Sequence, residues 1–285
     1  MTTPESERLL DVKDLVVEFR ARKWRAEPFR ALHGVSLDVR PGETLGLVGE
    51  SGSGKTTIGR AVLGLVPVAS GSITFDGEDL VGMSKPRRRE LSHDLQAVFQ
   101  DPYSSLNPAM TIEEILSEPL VAGAGQDKGT ARARVNELLD QVGLPSNAGS
   151  RLPREFSGGQ RQRVAIARAL ALSPKLIVCD EPVSALDLST QARVLDLFVE
   201  IQERTGVAYL FVSHDLAVVR AVSHRVAVLY RGNIVEMGEA DAVTARPEHA
   251  YTRKLFMAAP VPDPAAQRER RRERHALAAA QEGAA

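Results

Sequence analysis

Gly49-Glu50-Ser51-Gly52-Ser53-Gly54-Lys55-Thr56-Thr57 is the stretch on which the reading of this chain turns. It fits G-x-x-x-x-G-K-[ST], the phosphate-binding loop, in a fitting context. Thr44-Leu45-Gly46-Leu47-Val48 ahead of it reads as a buried strand, and Ile58 to Leu65 behind it has helical spacing of apolar residues. Glycines at 49, 52 and 54 let the backbone wrap so that successive N–H groups face phosphate oxygens. The helix start adds partial positive charge, Lys55 reaches the β and γ phosphates, and Thr56 offers a hydroxyl to Mg²⁺. Gly49, Ser51, Gly52, Gly54, Lys55, Thr56 and Thr57 are therefore candidate nucleotide-binding residues.

The bulk composition narrows the field. The 285 residues carry 36 Lys plus Arg against 37 Asp plus Glu, so no overall charge calls for nucleic acid or a membrane surface. A single cysteine, Cys179, excludes a disulfide framework and any cysteine-built metal site. Met1 to Arg8 is polar, and no apolar run approaches the roughly 18 residues of a spanning helix. The expectation is a cytoplasmic protein whose membrane contact, if any, runs through a partner.

Outward from the loop, strand and helix signals alternate. Leu9–Phe19 partly alternates and reads as an edge strand, Ala31–Val39 as another, and a basic loop at Arg20–Arg30 lies between them. Gly71–Gly77 and Gln96–Gln100 read as short strands, and Lys85–Arg89 as a solvated helix face. From Thr111 to Gly143 the periods turn helical. Thr111 with Glu114 predicts a capping box, and Val135, Leu138, Leu139 and Val142 share one side of a second helix over Ala131–Val142. Ser157 is expected to cap a helix running to about Leu172. After Pro174 the alternation resumes: strand Leu176–Cys179, helix Thr190–Arg204, strand Ala208–Val212, helix Leu216–Val222, and strands Arg225–Tyr230 and Asn233–Glu236. Pro260–Pro264 stiffens a linker. The Arg268–Arg274 run is interrupted by glutamates and reads as a mixed-sign solvated tail rather than a nucleic-acid arm.

Three further stretches carry chemistry. Leu176-Ile177-Val178-Cys179-Asp180-Glu181 is an apolar strand ending in two carboxylates: Asp180 is placed to hold Mg²⁺, and Glu181 to orient or deprotonate an attacking water. Phe156-Ser157-Gly158-Gly159-Gln160 puts Ser-Gly-Gly at a helix start, where two glycines cost about 1 kcal/mol each against alanine. Its functional reading is a second bare helix N-terminus aimed at a phosphate; its bland reading is a flexible loop entry. Val212-Ser213-His214 ends a strand with a histidine on the same sheet edge as the carboxylates.

The ordered set Gly49–Thr57, Gln100, Ser157–Gln160, Asp180-Glu181, Ser184–Asp187 and His214 resembles the ATPase subunits of ABC transporters, over about residues 9–264. The resemblance implies an α/β P-loop fold: a RecA-like core sheet, an antiparallel β subdomain and an inserted α-helical subdomain. The division it implies is 1–100 for the β subdomain and first part of the ATP-binding core, and 101–173 for the helical signature subdomain. The second part of the core follows at 174–240, a C-terminal extension at 241–264, and a flexible tail at 265–285. It further implies that Gln100 senses Mg²⁺ and the membrane partner, that Ser157, Gly158, Gly159 and Gln160 act on the ATP of an opposing subunit, and that Asp187 belongs to a loop crossing the dimer interface. His214 is the implied switch histidine, and Phe19 the aromatic stacked on adenine, ahead of Trp24 and Phe29.

A finer resemblance is to the F-type subunit of oligopeptide/dipeptide importers, carried by Phe99–Pro108, Asp180–Asp187 and His249-Ala250-Tyr251-Thr252-Arg253-Lys254-Leu255 through Pro264. Ala250 stands where a proline is usual, and the Arg-rich tail is a further departure. Nickel and glutathione importers share these motifs. The expected partners are two integral membrane permease subunits, a second ATPase subunit (a homodimer mate or a D-type sibling) and, indirectly, an extracytoplasmic solute-binding protein, on the cytoplasmic side of the cell membrane. A soluble ABC ATPase for translation or DNA repair is the rival reading, but the paired domains or long coiled-coil inserts of those proteins are absent from the sequence.

Overall fold

Pro41-Gly42 turns the chain into a fully buried strand, and the architecture builds from it. The computed structural model describes residues 8–19, 28–101 and 105–258. Trp24 with most of the Arg20–Arg30 loop, residues 102–104, the Pro260–Pro264 linker and the Arg-rich tail lie outside the described residues.

Among the described residues, ten strands form two sheets. β1 (Leu10–Phe19), β2 (Phe29–Val39), β4 (Ser70–Phe75) and β5 (Glu78–Asp79) make an antiparallel sheet in the order β2-β1-β4-β5. β3 (Thr44–Val48), β6 (Leu95–Val98), β7 (Leu176–Asp180), β8 (Ala208–Val212), β9 (Arg225–Tyr230) and β10 (Asn233–Glu239) make the second, in the order β10-β9-β3-β8-β7-β6. Five of these run parallel, and only β10 is antiparallel. Parallel strands need crossovers, and the sequence supplies them: α1 (Lys55–Val62), α2 (Lys85–Leu91), α3 (Ile112–Glu118), α4 (Lys128–Gln141), α5 (Gly158–Leu170), α6 (Leu188–Thr205) and α7 (Leu216–Val222), followed by α8 (Ala240–Ala245) and α9 (Ala250–Ala258).

Both faces of the parallel sheet are covered, which explains the unbroken apolar runs. In β7, Leu176 and Val178 join Ile58, Ala61 and Val62 of α1 and the antiparallel sheet in one core, while Ile177 and Cys179 join α5, α6 and the helical segment in another. β8 divides the same way, with Leu210 and Val212 on one side and Tyr209 and Phe211 on the other. Gly46 marks a close helix approach: a Cβ there would lie 2.3 Å from a methyl carbon of Val219 in α7.

Local signals hold well in the helical segment. Thr111 and Glu114 form the predicted capping box on α3. The Asp127 carboxylate accepts from Gly129 and Thr130 N–H groups to start α4 three residues before the expected Ala131. Long-range order is where the expectations fail. β1 is not an edge strand: it lies between β2 and β4. Its broken alternation, which suggests an edge, comes from a bulge at Asp14, whose φ is 49° and which interrupts the register between Val12 and Leu15. β2 starts at Phe29 rather than Ala31, β6 covers Leu95–Val98 rather than Gln96–Gln100, α5 stops at Leu170, and β10 runs on to Glu239. Helices α8 and α9 have no counterpart in the sequence reading.

The two sheets are tied by charge at one end. Arg225, at the start of β9, places Nη1 3.1 Å from Asp38 Oδ2 and 3.2 Å from Glu43 Oε1, and all three side chains are largely withdrawn from water. Arg225→Met would leave two carboxylates without their cation, a loss of about 3 kcal/mol. The expected outcome is a lower urea midpoint with an unchanged slope in a denaturation series.

Candidate nucleotide site

The parallel strands deliver their C-terminal ends to one edge in near alignment: Leu47 of β3 and Asp180 of β7 both pair with Val212 of β8, and Val98 of β6 pairs with Cys179. The loop after β3, the carboxylates after β7, His214 after β8 and Gln100 after β6 therefore gather along that edge, as ligand sites do in open α/β sheets.

At the loop, α1 begins with Gly54 in the left-handed region, φ 109°, and no side chain caps it. Its first N–H groups have no intrahelical acceptor. Gly49 has φ 153°, and a Cβ there would sit 2.2 Å from the Leu229 carbonyl oxygen. Buried Lys55 donates from Nζ to the carbonyls of Gly49 (2.8 Å) and Glu50 (2.9 Å). Thr56 Oγ1 donates to Asp180 Oδ1 at 2.8 Å.

Charge here is poorly solvated. Burial pushes the Lys55 ammonium below its usual pKa, partly offset by the carboxylates of Glu181, Asp180 and Glu50. Burial likewise raises Asp180, with the Thr56 hydroxyl and Arg60 pulling the other way. A half-buried carboxylate and a hydroxyl side by side form an all-oxygen donor set that suits Mg²⁺. The Ser53 hydroxyl, buried in the loop, has no partner among the described residues.

Glu181 follows with φ 50°, held there by its N–H to the Val212 carbonyl at 2.9 Å. A non-glycine residue in this region costs about 1–3 kcal/mol and marks over-determined geometry. Its Oε1 lies 3.1 Å from His214 Nδ1. Phe19, Ser51, Gly52, Gly54, Lys55, Thr56, Thr57 and Glu181 line one cleft of about 260 Å³. Phe29, which ranks below Phe19 on sequence, lines it too, because it pairs in register with Phe19 across the antiparallel sheet. Gln100, two residues past β6, is exposed and does not line this cleft. A larger groove of about 600 Å³ runs along α3 and α4, and none of the candidate site residues lines it.

Ser157, Gly158, Gly159, Gln160 and Asp187 form a separate group at the starts of α5 and α6. Ser157 caps α5 as its residue type predicts, in a capping box: Gln160 N–H donates to Ser157 Oγ at 3.3 Å and Ser157 N–H to Gln160 Oε1 at 3.0 Å. Gly159 is required by packing, since a Cβ would meet a Thr190 methyl at 2.2 Å. Asp187 caps α6, accepting from Ser189 Oγ and Thr190 N–H, and these bonds hold its carboxyl far below the usual range.

The ABC transporter family matches residues 32–184, and the oligopeptide/dipeptide transporter C-terminal region matches residues 235–284. The chain is 50% identical over 275 residues to the glutathione import ATP-binding protein GsiA of Salmonella typhimurium, covering 95% of this chain and 44% of GsiA. The chain thus spans less than half of that relative's length. It is 47% identical over 270 residues to the oligopeptide transport ATP-binding protein OppF of the same organism, covering 92% and 81% of the two chains. Among solved structures, the ATP-binding cassette MJ0796, dimeric and bound to ADP and Pi, superposes with a TM-score of 0.72 at 29% identity, covering 81% of this chain and 98% of that one.

Cys179 adjoins this site yet faces the core, fully buried, and burial beside Asp180 raises its thiol well above the usual value. An aromatic disulfide reagent should release no colour from the folded protein and one equivalent per chain in denaturant. Cys179→Ala should keep ATP turnover near that of the parent.

Proposed function

The chain belongs to the ABC transporter family, and from that premise we propose that it is the ATP-hydrolysing subunit of an importer for oligopeptides or dipeptides. The observation that carries this is the joining of Lys55, Thr56, Asp180, Glu181 and His214 along one sheet edge, in a chain with a peptide-transporter C-terminal region.

In this reading the loop N–H groups from Gly49 to Thr57 and the Lys55 ammonium bind the phosphates of ATP, and Phe19, with Phe29 at its side, stacks on adenine. Thr56 and Asp180, with Gln100, hold Mg²⁺. When bound, that ion neutralises charge developing on the phosphate oxygens. Glu181 takes a proton from the water whose oxygen bonds to the γ-phosphorus as the bond to the bridging oxygen breaks, and His214 keeps its carboxylate in place. Ser157, Gly158, Gly159, Gln160 and Asp187, absent from the cleft of their own chain, serve the nucleotide of a second ATPase subunit, so that two ATP molecules close the dimer and hydrolysis reopens it.

The subunit then works at the cytoplasmic face of the cell membrane with two permease subunits, a second copy or a D-type sibling, and, indirectly, a solute-binding protein. No helix among the described residues is long and apolar enough to cross a membrane; in this reading the permeation path is formed by the permease subunits. The identity to GsiA favours glutathione as the second reading of the solute. Reconstituting the complex and asking which solute-loaded binding protein stimulates ATP hydrolysis decides between the two.

Glu181→Gln should retain ATP affinity and lose about 10²- to 10⁴-fold in turnover, accumulating as a closed, ATP-bound dimer on size exclusion. Undiminished turnover removes Glu181 from its role. Ser157→Arg and Lys55→Ala should each be inactive as homodimers. Mixed together they form one interface carrying both defects and one intact, so partial ATPase activity should return. A Ser157→Arg protein that hydrolyses ATP normally as a monomer overturns the shared site.

A further inference from the structure

Helix α9 belongs to the C-terminal region, yet its first side chains reach the phosphate-binding loop. The Tyr251 hydroxyl accepts the N–H of Glu50 at 3.1 Å, across 201 positions of sequence. We propose that Tyr251 is a positioning residue for this loop: α9 carries its hydroxyl to the Glu50 amide and holds the loop in its nucleotide-receiving form. The inference rests on the nucleotide-binding reading of Gly49–Thr57 given above.

Tyr251 is itself firmly placed. Its ring packs on Tyr230, at the end of β9, with centroids 4.1 Å apart. It belongs to a core cluster with Val48, the last residue of the strand that feeds the loop, and with Val226, Val228 and Val243. The start of α9 is anchored on β10, where the Glu236 carboxylate accepts from the N–H groups of Glu248 (2.8 Å) and His249 (3.0 Å). His249 Nδ1 in turn accepts the N–H of Tyr251 at 3.2 Å. Burial raises the Tyr251 phenol above its ordinary pKa, so it stays neutral.

The loop needs such a support. The Glu50 carbonyl accepts from Lys55 Nζ and from Ser53 N–H at 3.2 Å. If Lys55 turns to phosphate, its hold on the Gly49 and Glu50 carbonyls is released at the moment the loop N–H groups must stay aimed. Tyr251 holds the preceding side of the Glu50 residue independently of Lys55. A fixed loop lowers the ordering cost of binding, so the contact should act on nucleotide affinity more than on chemistry.

Tyr251→Phe removes the acceptor and keeps the ring on Tyr230. In the full chain, the Glu50 amide resonance should move and its hydrogen exchange accelerate. The Kd for a fluorescent ATP analogue and the KM for ATP should rise about three- to tenfold, the net worth of one hydrogen bond, with kcat nearly unchanged. A Glu50 amide unmoved by the substitution, or an unchanged Kd and KM, overturns the proposal; a role confined to docking α9 would move the amide and leave Kd and KM where they are. Wild-type protein that binds no ATP analogue would sink the nucleotide reading instead, while the Glu50 amide still reports the contact. Should Tyr251→Phe not fold, wild-type exchange decides: a Glu50 amide exchanging as fast as the exposed Gly52 amide overturns the contact.

Discussion

Neighbouring parallel strands cannot be joined by a tight turn, and that constraint organises the molecule. Each must leave the sheet, cross a face as a helix and re-enter beside a strand far away in sequence. The helices this demands are the cover the sheet needs, which is why β7 and β8 send alternate side chains into two different cores. The same constraint brings four loop starts, separated by up to about 165 residues, to one edge. Chemistry gathers there because connections, not core residues, are free to carry polar groups.

What the edge collects is expensive to hold. Lys55 and Asp180 are both partly desolvated, each displaced toward its neutral form by burial and drawn back by the opposite charge nearby. Glu181 adds a left-handed backbone, and its carboxylate lies against His214. None of these features serves the fold in isolation, and a hydrophobic replacement would pack as well or better. Such a cluster, set on strands aligned within a residue by the Leu47–Val212 and Asp180–Val212 pairings, is pre-placed for a charged ligand.

Local chemistry was readable from the sequence to the extent that it depends on neighbours a few residues apart. The phosphate-loop pattern, the Thr111–Glu114 box, the Ser157 cap and the apolar run of β7 all follow from short-range rules, and all lie where those rules put them. Sheet order does not follow from such rules. A bulge at Asp14 gives central β1 the broken alternation of an edge strand, and only its pairing with both β2 and β4 reveals the difference. Phe29 enters the cleft through cross-strand register with Phe19, and Tyr251 reaches Glu50 through two stacked tyrosines. Neither relation leaves a periodic trace. The left-handed Glu181 was equally hidden, since no glycine or asparagine announces it.

The starts of α5 and α6 show why a sequence motif and a ligand contact must be kept apart. Gly159 invites reading as a glycine kept small so that backbone can approach a phosphate, but Thr190 already occupies the space its Cβ would take. A larger residue there would push α5 away from α6 within a single chain, whatever a second subunit does. Loss of activity on replacing Gly159 therefore cannot distinguish a contact in trans from damage in cis. Asp187 has the same ambiguity, because its carboxylate is committed to the first turn of α6. Ser157 is different. Its oxygen accepts one N–H inside the capping box, which leaves its own proton free to be donated outward. Ser157 is also exposed, with an extended backbone, φ −64° and ψ 165°. Ser157→Arg removes that cap as well, so what separates a shared site from a damaged helix start is the return of activity on mixing with Lys55→Ala, which a defect confined to one chain would not give.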